Sequence, residues 1–204
     1  MNMPIPWPGN KDKAFASGTY GLANAYLEWT RFYGTEALWA DAFKKSADII
    51  ISQIETGKVP ENADMYFFPV SYMYRHGIEL YLKRLIRLGI QLQFLQEDEV
   101  HEMLGKHSLS RLWNKARFVL EQAWPDGDNN DLTNSERLIQ EFHTLDSAGQ
   151  NFRYPADKSG KPNTHLPSTV NLIVLKKNCD GLFNFFGGCD AGLSEMTTWQ
   201  DTQY

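Results

Sequence analysis

Apolar residues recur three and four positions apart along most of the chain, while the alternation of a half-buried strand is scarce, so the pattern predicts helices. From Glu36 to Ile54 one stripe holds Trp39, Phe43, Ala47, Ile50 and Ile54, and Gly57 and Pro60 break the chain after it. A central helix over 69–92 carries Val70, Met73, Tyr74, Tyr81, Leu85 and Leu88 along one side, with Ile78, Leu82 and Ile86 beside them. So wide an apolar arc predicts burial on more than one face. A short helix over 97–104 ends at Gly105. Ser108 is placed to cap the next helix, which runs to Ala123 and turns Leu109, Leu112, Trp113, Ala116 and Leu120 to the core. Thr133 and Glu136 have capping-box spacing and open a helix through Leu138, Ile139, Phe142 and Leu145, which Gly149 closes. Pro155, Gly160, Pro162 and Pro167 mark 151–167 as an irregular loop or small hairpin, after which Ser168 caps a last helix to Phe186.

The two ends read differently. Residues 1–13, with Pro4, Pro6 and Pro8, are expected to be an extended arm, and 14–33 to hold helical stretches broken by Gly18 and Gly21. The tail over 188–204 is polar apart from Leu193, Met196 and Trp199 and is expected to be flexible or lightly docked. The fold class is therefore all-α: an antiparallel bundle of about five to seven helices forming a single helical domain over 14–187.

Composition narrows the classes. With 204 residues, 13% aromatics, 22% charged residues and neither a heptad nor a Gly-X-Y period, the chain is neither fibrous nor wholly disordered, and it can build its own core. The most apolar long stretch, Tyr66 to Leu95, is interrupted by Arg75, Glu79, Lys83, Arg84 and Arg87, too many charges for an unassisted membrane span. The N-terminus has no basic region followed by an apolar one, so it does not read as a signal peptide, and a cytoplasmic location is expected. Cys179 and Cys189 lack metal-ligand spacing and read as free thiols. Asp126 to Asn130 begins like a calcium loop, but position six is Asp131 and position twelve is Arg137, so the essential glycine and bidentate glutamate are missing. No phosphate-binding glycine loop, HExxH or GxSxG motif occurs, and neither a metal nor a cofactor is expected.

Charge patterning points to candidate chemistry. Arg75, Glu79 and Lys83 follow one another at i, i+4 steps on the central helix, with His76 adjoining. Such a stripe is either a solvated ladder or, lodged between apolar surfaces, a partly buried set that needs partners from elsewhere. The segment from His143 through Asp146 and Gln150 to Phe152, Arg153, Tyr154 and Pro155 supplies candidates: Arg153 could pair with Glu79, or Arg75 with Asp146. A third patch holds His107, Arg111 and Lys115 at the same spacing, flanked by Lys106 and Arg117, with no acidic residue between Met103 and Leu120. It reads as a solvated basic face or a phosphate contact on a chain whose net charge is −5. The next segment, Glu121 to Asp146, carries seven acidic residues, and adjacent opposite patches also suit self-association or a charged protein partner.

The runs Tyr74-Arg75-His76-Gly77-Ile78-Glu79-Leu80-Tyr81-Leu82-Lys83, Lys106-His107-Ser108-Leu109-Ser110-Arg111-Leu112-Trp113 and Phe152-Arg153-Tyr154-Pro155 together resemble helical proteins of the HEPN superfamily of bacterial defence and toxin–antitoxin systems, over residues 66–187. The resemblance implies a helical bundle, a homodimer and, in active members, metal-independent RNA cleavage. In those members an arginine and a histidine lie four to six residues apart where subunits meet. Arg137 and His143, with five residues between them, match that spacing. A metal-free ribonuclease needs a base for the ribose 2′-hydroxyl and cations for the charged transition state. The expected cleft gathers Arg75, His76, His107 and Arg153, with Glu79 and Asp146 orienting the cations and Lys83, Arg111, Lys115 and Tyr154 binding RNA. Arg137 with His143 forms a separate candidate pair. The rival is a non-catalytic interaction or ligand-binding module, or an antitoxin-like partner of another protein, in which the same charges tie helices together.

Overall fold

The computed structural model describes residues 13–16, 18–31, 35–58, 63–127, 129–156, 159–162 and 166–202. Most of the expected arm, and Pro60, lie outside them. Among the described residues the architecture is all-α: α1 (Glu36–Glu55), α2 (Asp64–Gln91), α3 (Glu97–Leu104), α4 (Leu109–Ala123), α5 (Asn129–Leu145) and α6 (Leu172–Asp201). Among the described residues no helix is long and apolar enough to cross a membrane.

The chain divides into two units, Met1–Tyr33 and Gly34–Tyr204. The described part of the first unit forms two short 3₁₀ turns, Gly21–Ala23 and Glu28–Arg31, where helical stretches were expected. Asn24 clips the loop before the first turn. Its Oδ1 accepts from the Gly18 N–H at 2.8 Å and its Nδ2 donates to the Gly18 carbonyl at 3.0 Å. Phe15, Tyr20, Leu22, Tyr26 and Leu27 are exposed, and no buried apolar side chain occurs among the described residues of this segment.

The second unit is built around α2, which packs on α1, α4 and α6. Its buried positions, among them Val70, Tyr74, Ile78, Leu82, Leu85, Ile86 and Leu88, face several directions, as the wide apolar arc predicts. Polar ties fix the register. Glu36 with Arg87, Asp41 with Tyr81 and Asp48 with Tyr74 show that α1 runs antiparallel to α2. Arg117 with Glu136 and Gln140 with Ser110 show the same for α4 and α5. Tyr74 and Tyr81 meet Phe183 and Phe186, and Arg84 meets Asp190, so α6 runs parallel to α2.

Two glycines let α2 pass its neighbours closely. A Cβ on Gly77 would lie 2.7 Å from Phe183 Cζ, and one on Gly89 would lie 2.3 Å from Val119 Cγ2. Overpacking of this kind costs about 1–3 kcal/mol. Gly89→Ala is accordingly expected to lower the urea midpoint without changing the slope of unfolding, and an unchanged midpoint would mean that α2 and α4 have room to spare.

Termini of helices account for the other departures. Helix α2 starts at Asp64, before Pro69, so the proline is tolerated inside it and forgoes one hydrogen bond to the Met65 carbonyl. It ends with Gln93 in the left-handed region (φ 62°), where Gln93 N–H donates to Ile90 O and Phe94 N–H to Gly89 O. Helix α5 begins at Asn129, which puts Thr133 inside the helix and overrides the capping-box reading. It ends at Leu145, and Gly149 does not close it. The last helix starts at Leu172, where the Asn171 side chain accepts from the N–H groups of Ile173 and Val174, and Ser168 does not cap it. It continues through Gly187 and Gly188 to Asp201, against the expectation of a flexible or lightly docked tail. Leu193 is fully buried, and Trp124 lies against Gly192. Helix-breaking propensity lost there to tertiary packing, which glycines permit at a close contact. Among the described residues of the 151–167 segment Ala156 and Pro162 form an antiparallel bridge, and Gly160 has φ +80°.

Candidate functional site: a buried ion cluster with an exposed histidine

Arg75 projects from the middle of α2 into a space closed by the loop after α5 and by the residue before the α4 cap. Its Nε donates to the Asp146 carbonyl at 3.0 Å and lies 3.2 Å from Asp146 Oδ2. Nη1 donates to Glu79 Oε2 at 3.1 Å and Nη2 to the His107 carbonyl at 2.6 Å. Arg75, Glu79 and Asp146 are all essentially inaccessible, with at most 2% of each exposed. The i, i+4 stripe is therefore not a solvated ladder. Buried charges are tolerable here because each has several partners. Asp146 Oδ1 accepts the backbone N–H groups of Gln150 and Asn151 at 2.6 and 3.0 Å, and Asn151 Nδ2 donates to the Leu145 carbonyl at 2.7 Å. The carboxylate thus shapes the turn that closes over Arg75.

Gly149 shows how tight the closure is. Its φ is +73°, and a Cβ there would lie 3.0 Å from Arg75 Nη1 and 3.4 Å from His107 Cβ. Glycine is needed both for the left-handed backbone and for the approach of the guanidinium.

Glu79 carries the cluster outward. Its Oε1 accepts from Lys83 Nζ at 2.8 Å and lies 2.8 Å from His107 Nδ1. The His107 side chain is 54% exposed. A buried carboxylate thus orients an exposed imidazole through one ring nitrogen and leaves Nε2 as the nitrogen open to a ligand.

The other expected residues divide. Arg153 does not pair with Glu79; its Nε donates to the Gly149 carbonyl at 2.6 Å, and its guanidinium lies 5.7 Å from the ring centroids of both Tyr72 and Tyr154. Among the described residues it pairs with no carboxylate. His76 turns toward α1, edge-on to Phe43 (4.6 Å between centroids) and stacked on Tyr72 (5.7 Å, 9° between planes). The pair Arg137 and His143 is split across its helix. Arg137 is exposed on Glu141 at 2.7 Å, while His143 is half-buried, its Nδ1 shielded from solvent without a hydrogen-bond partner. The basic patch is interleaved with acid. Lys106 reaches Glu102 at 3.0 Å and Lys115 lies 3.9 Å from Glu99, both carboxylates on α3, and Arg111 shares the field of Glu102. Arg117 is held by Glu121 and Glu136. The run without acids in the sequence is thus offset in space.

Titration follows from these surroundings. Burial pulls the Glu79 carboxyl up, but Lys83 and His107 outweigh it and hold it below its ordinary 4.5. His76 and His143 both lie below the ordinary 6.5, chiefly because burial disfavours the imidazolium; the Arg75 charge adds to this for His143. All three groups bind more protons unfolded than folded as the pH falls through these windows, so stability is full above them and is lost with acid. The melting temperature is expected to fall first below about pH 6.5 and again below about pH 4.5. A melting temperature flat from about pH 7 to about pH 5 would contradict neutral burial of the two histidines.

No group of three or more metal-ligating side chains is found among the described residues. Cys179 and Cys189 are free; burial raises both thiols, that of Cys189 to about 12, which keeps them protonated and unreactive. Comparison with protein-family models, curated proteins and solved structures returns no match for this chain. The fold and the site define an all-α bundle that carries a buried arginine–carboxylate cluster opening onto one histidine.

Proposed function

We propose that this protein cleaves RNA without a metal ion, with His107 as the base. The observation that carries the reading is the 2.8 Å contact of His107 Nδ1 with Glu79, a buried carboxylate itself held by Arg75 and Lys83, beneath an exposed imidazole. In the reaction, Nε2 takes the proton of a ribose 2′-hydroxyl as its oxygen attacks the adjacent phosphorus. The 5′-oxygen leaves with a proton returned by an acid, giving a 2′,3′-cyclic phosphate and a 5′-hydroxyl end. Lys83 and Arg153 are the cations suited to the charge that builds on the phosphoryl oxygens. The HEPN resemblance, and the homodimer it implies, belong to the same proposal.

The test is incubation of purified protein with structured and single-stranded RNAs in EDTA, wild type beside His107→Ala. Cleavage by wild type that the variant loses supports the reading; no cleavage of any RNA by the folded wild type overturns it. A second reading, a non-catalytic helical interaction module, is favoured by the internal hydrogen bonding of all three Arg75 guanidinium nitrogens, which suits a structural tie as well as it suits a catalytic scaffold.

A further inference from the structure

Next to His107 stands a ladder of flat groups, His76, Tyr72, Arg153 and Tyr154, whose inner rungs pack against the core. The rings of His76 and Tyr72 are nearly parallel, the Arg153 guanidinium follows on Tyr72, and Tyr154 follows on Arg153. Arg153 is held by its bond to the Gly149 carbonyl, and Gly149 in turn abuts Arg75 and His107. The ladder therefore starts against α1, passes the cluster and ends in Tyr154, which is 55% exposed. Phe152, only 4% exposed, anchors this loop in the core.

We propose that Tyr154 and Arg153 form a seat on which one unpaired base of single-stranded RNA stacks, beside His107. The inference rests on the RNA reading above and deepens it by naming the form of the substrate. Three features favour a nucleobase. Stacked aromatic and guanidinium planes are the surface on which splayed-out bases pile. Arg153 has a backbone carbonyl and no carboxylate among the described residues, so its charge is available to a phosphate. The groups already stand in this arrangement without a ligand, which lowers the ordering cost of binding. Paired bases in a duplex are stacked on one another and cannot reach such a seat. Recognition through a π-face tolerates any base, so little sequence preference is expected.

The test separates binding from chemistry by using a fluorescein-labelled single-stranded oligonucleotide that is 2′-O-methylated throughout and cannot be cut through a 2′-hydroxyl. Wild type is expected to bind it and to ignore the same strand in a duplex. Tyr154→Ala is expected to weaken binding by about tenfold or more, with the melting temperature unchanged, and Tyr154→Phe, which keeps the ring, to bind as wild type. Equal binding by Tyr154→Ala, equal competition by the duplex, or no binding by wild type would overturn the seat. Binding as described together with failure to cut unmethylated RNA would uphold the seat and remove the cleavage reading alone.

Discussion

Arg75→Ala is expected to destabilise the Gly34–Tyr204 unit by about 3–5 kcal/mol, because it strips the shared cation from two inaccessible carboxylates. Glu79 would keep Lys83 and His107, whereas Asp146 would keep only the amide groups of its own turn. The His107 carbonyl would lose its donor as well. For a domain of this size each kcal/mol moves the midpoint by about 2–4 °C, so the melting curve followed by circular dichroism should shift down by about 6–20 °C. Arg75→Lys should recover little. One ammonium cannot reach Asp146, Glu79 and the His107 carbonyl at once, which the planar fork does through three nitrogens. The pair Arg75→Ala and Glu79→Ala should be strongly non-additive, since removing both leaves fewer unpaired charges than the sum of the single losses implies. A wild-type melting temperature for Arg75→Ala would show that water compensates both carboxylates, and that the cluster does not hold the loop to α2.

The cluster also shows where reading the sequence succeeds. The i, i+4 spacing of Arg75, Glu79 and Lys83 within an apolar helix is enough to pick them out, and the pairing of Arg75 with Asp146 is one of the two that the sequence suggests. The choice between the two is not legible, because it depends on the turn after α5, where Asp146 caps Gln150 and Asn151 and Gly149 clears a path for the guanidinium. Read locally, Gly149 looks like a helix terminator; its actual role is set by a residue 74 positions away. The same limit explains α6. Gly187 and Gly188 favour a break, but the helix continues because Leu193 and Gly192 meet a core and a tryptophan that no window around them reveals. It also explains the basic patch, whose neutralising carboxylates, Glu99 and Glu102, lie on a different helix. The contact of His107 with Glu79 spans two elements as well, and only the residue types, an imidazole and a carboxylate flanked by cations, hint at it.

His107→Ala carries the other large expected effect, on rate and not on stability. The tie from Arg75 ends on the backbone carbonyl of His107, which the substitution leaves in place, and the side chain is more than half exposed. Glu79 keeps Arg75 and Lys83 as partners. Folding should therefore be nearly unaffected, while loss of a positioned base lowers the cleavage rate by about 100- to 10,000-fold. The two readings of the protein then part cleanly, since a purely structural histidine predicts no change in any rate and a contaminating nuclease predicts equal activity in both preparations. Glu79→Gln sharpens the distinction. It keeps the shape of the side chain but removes the charge that orients the imidazole, so cleavage by a dyad should fall with the wild-type strand preference retained. If His107→Ala cuts RNA as fast as wild type in EDTA, the exposed imidazole is not the base, and the cluster beneath it serves only to bind the loop after α5 to the central helix.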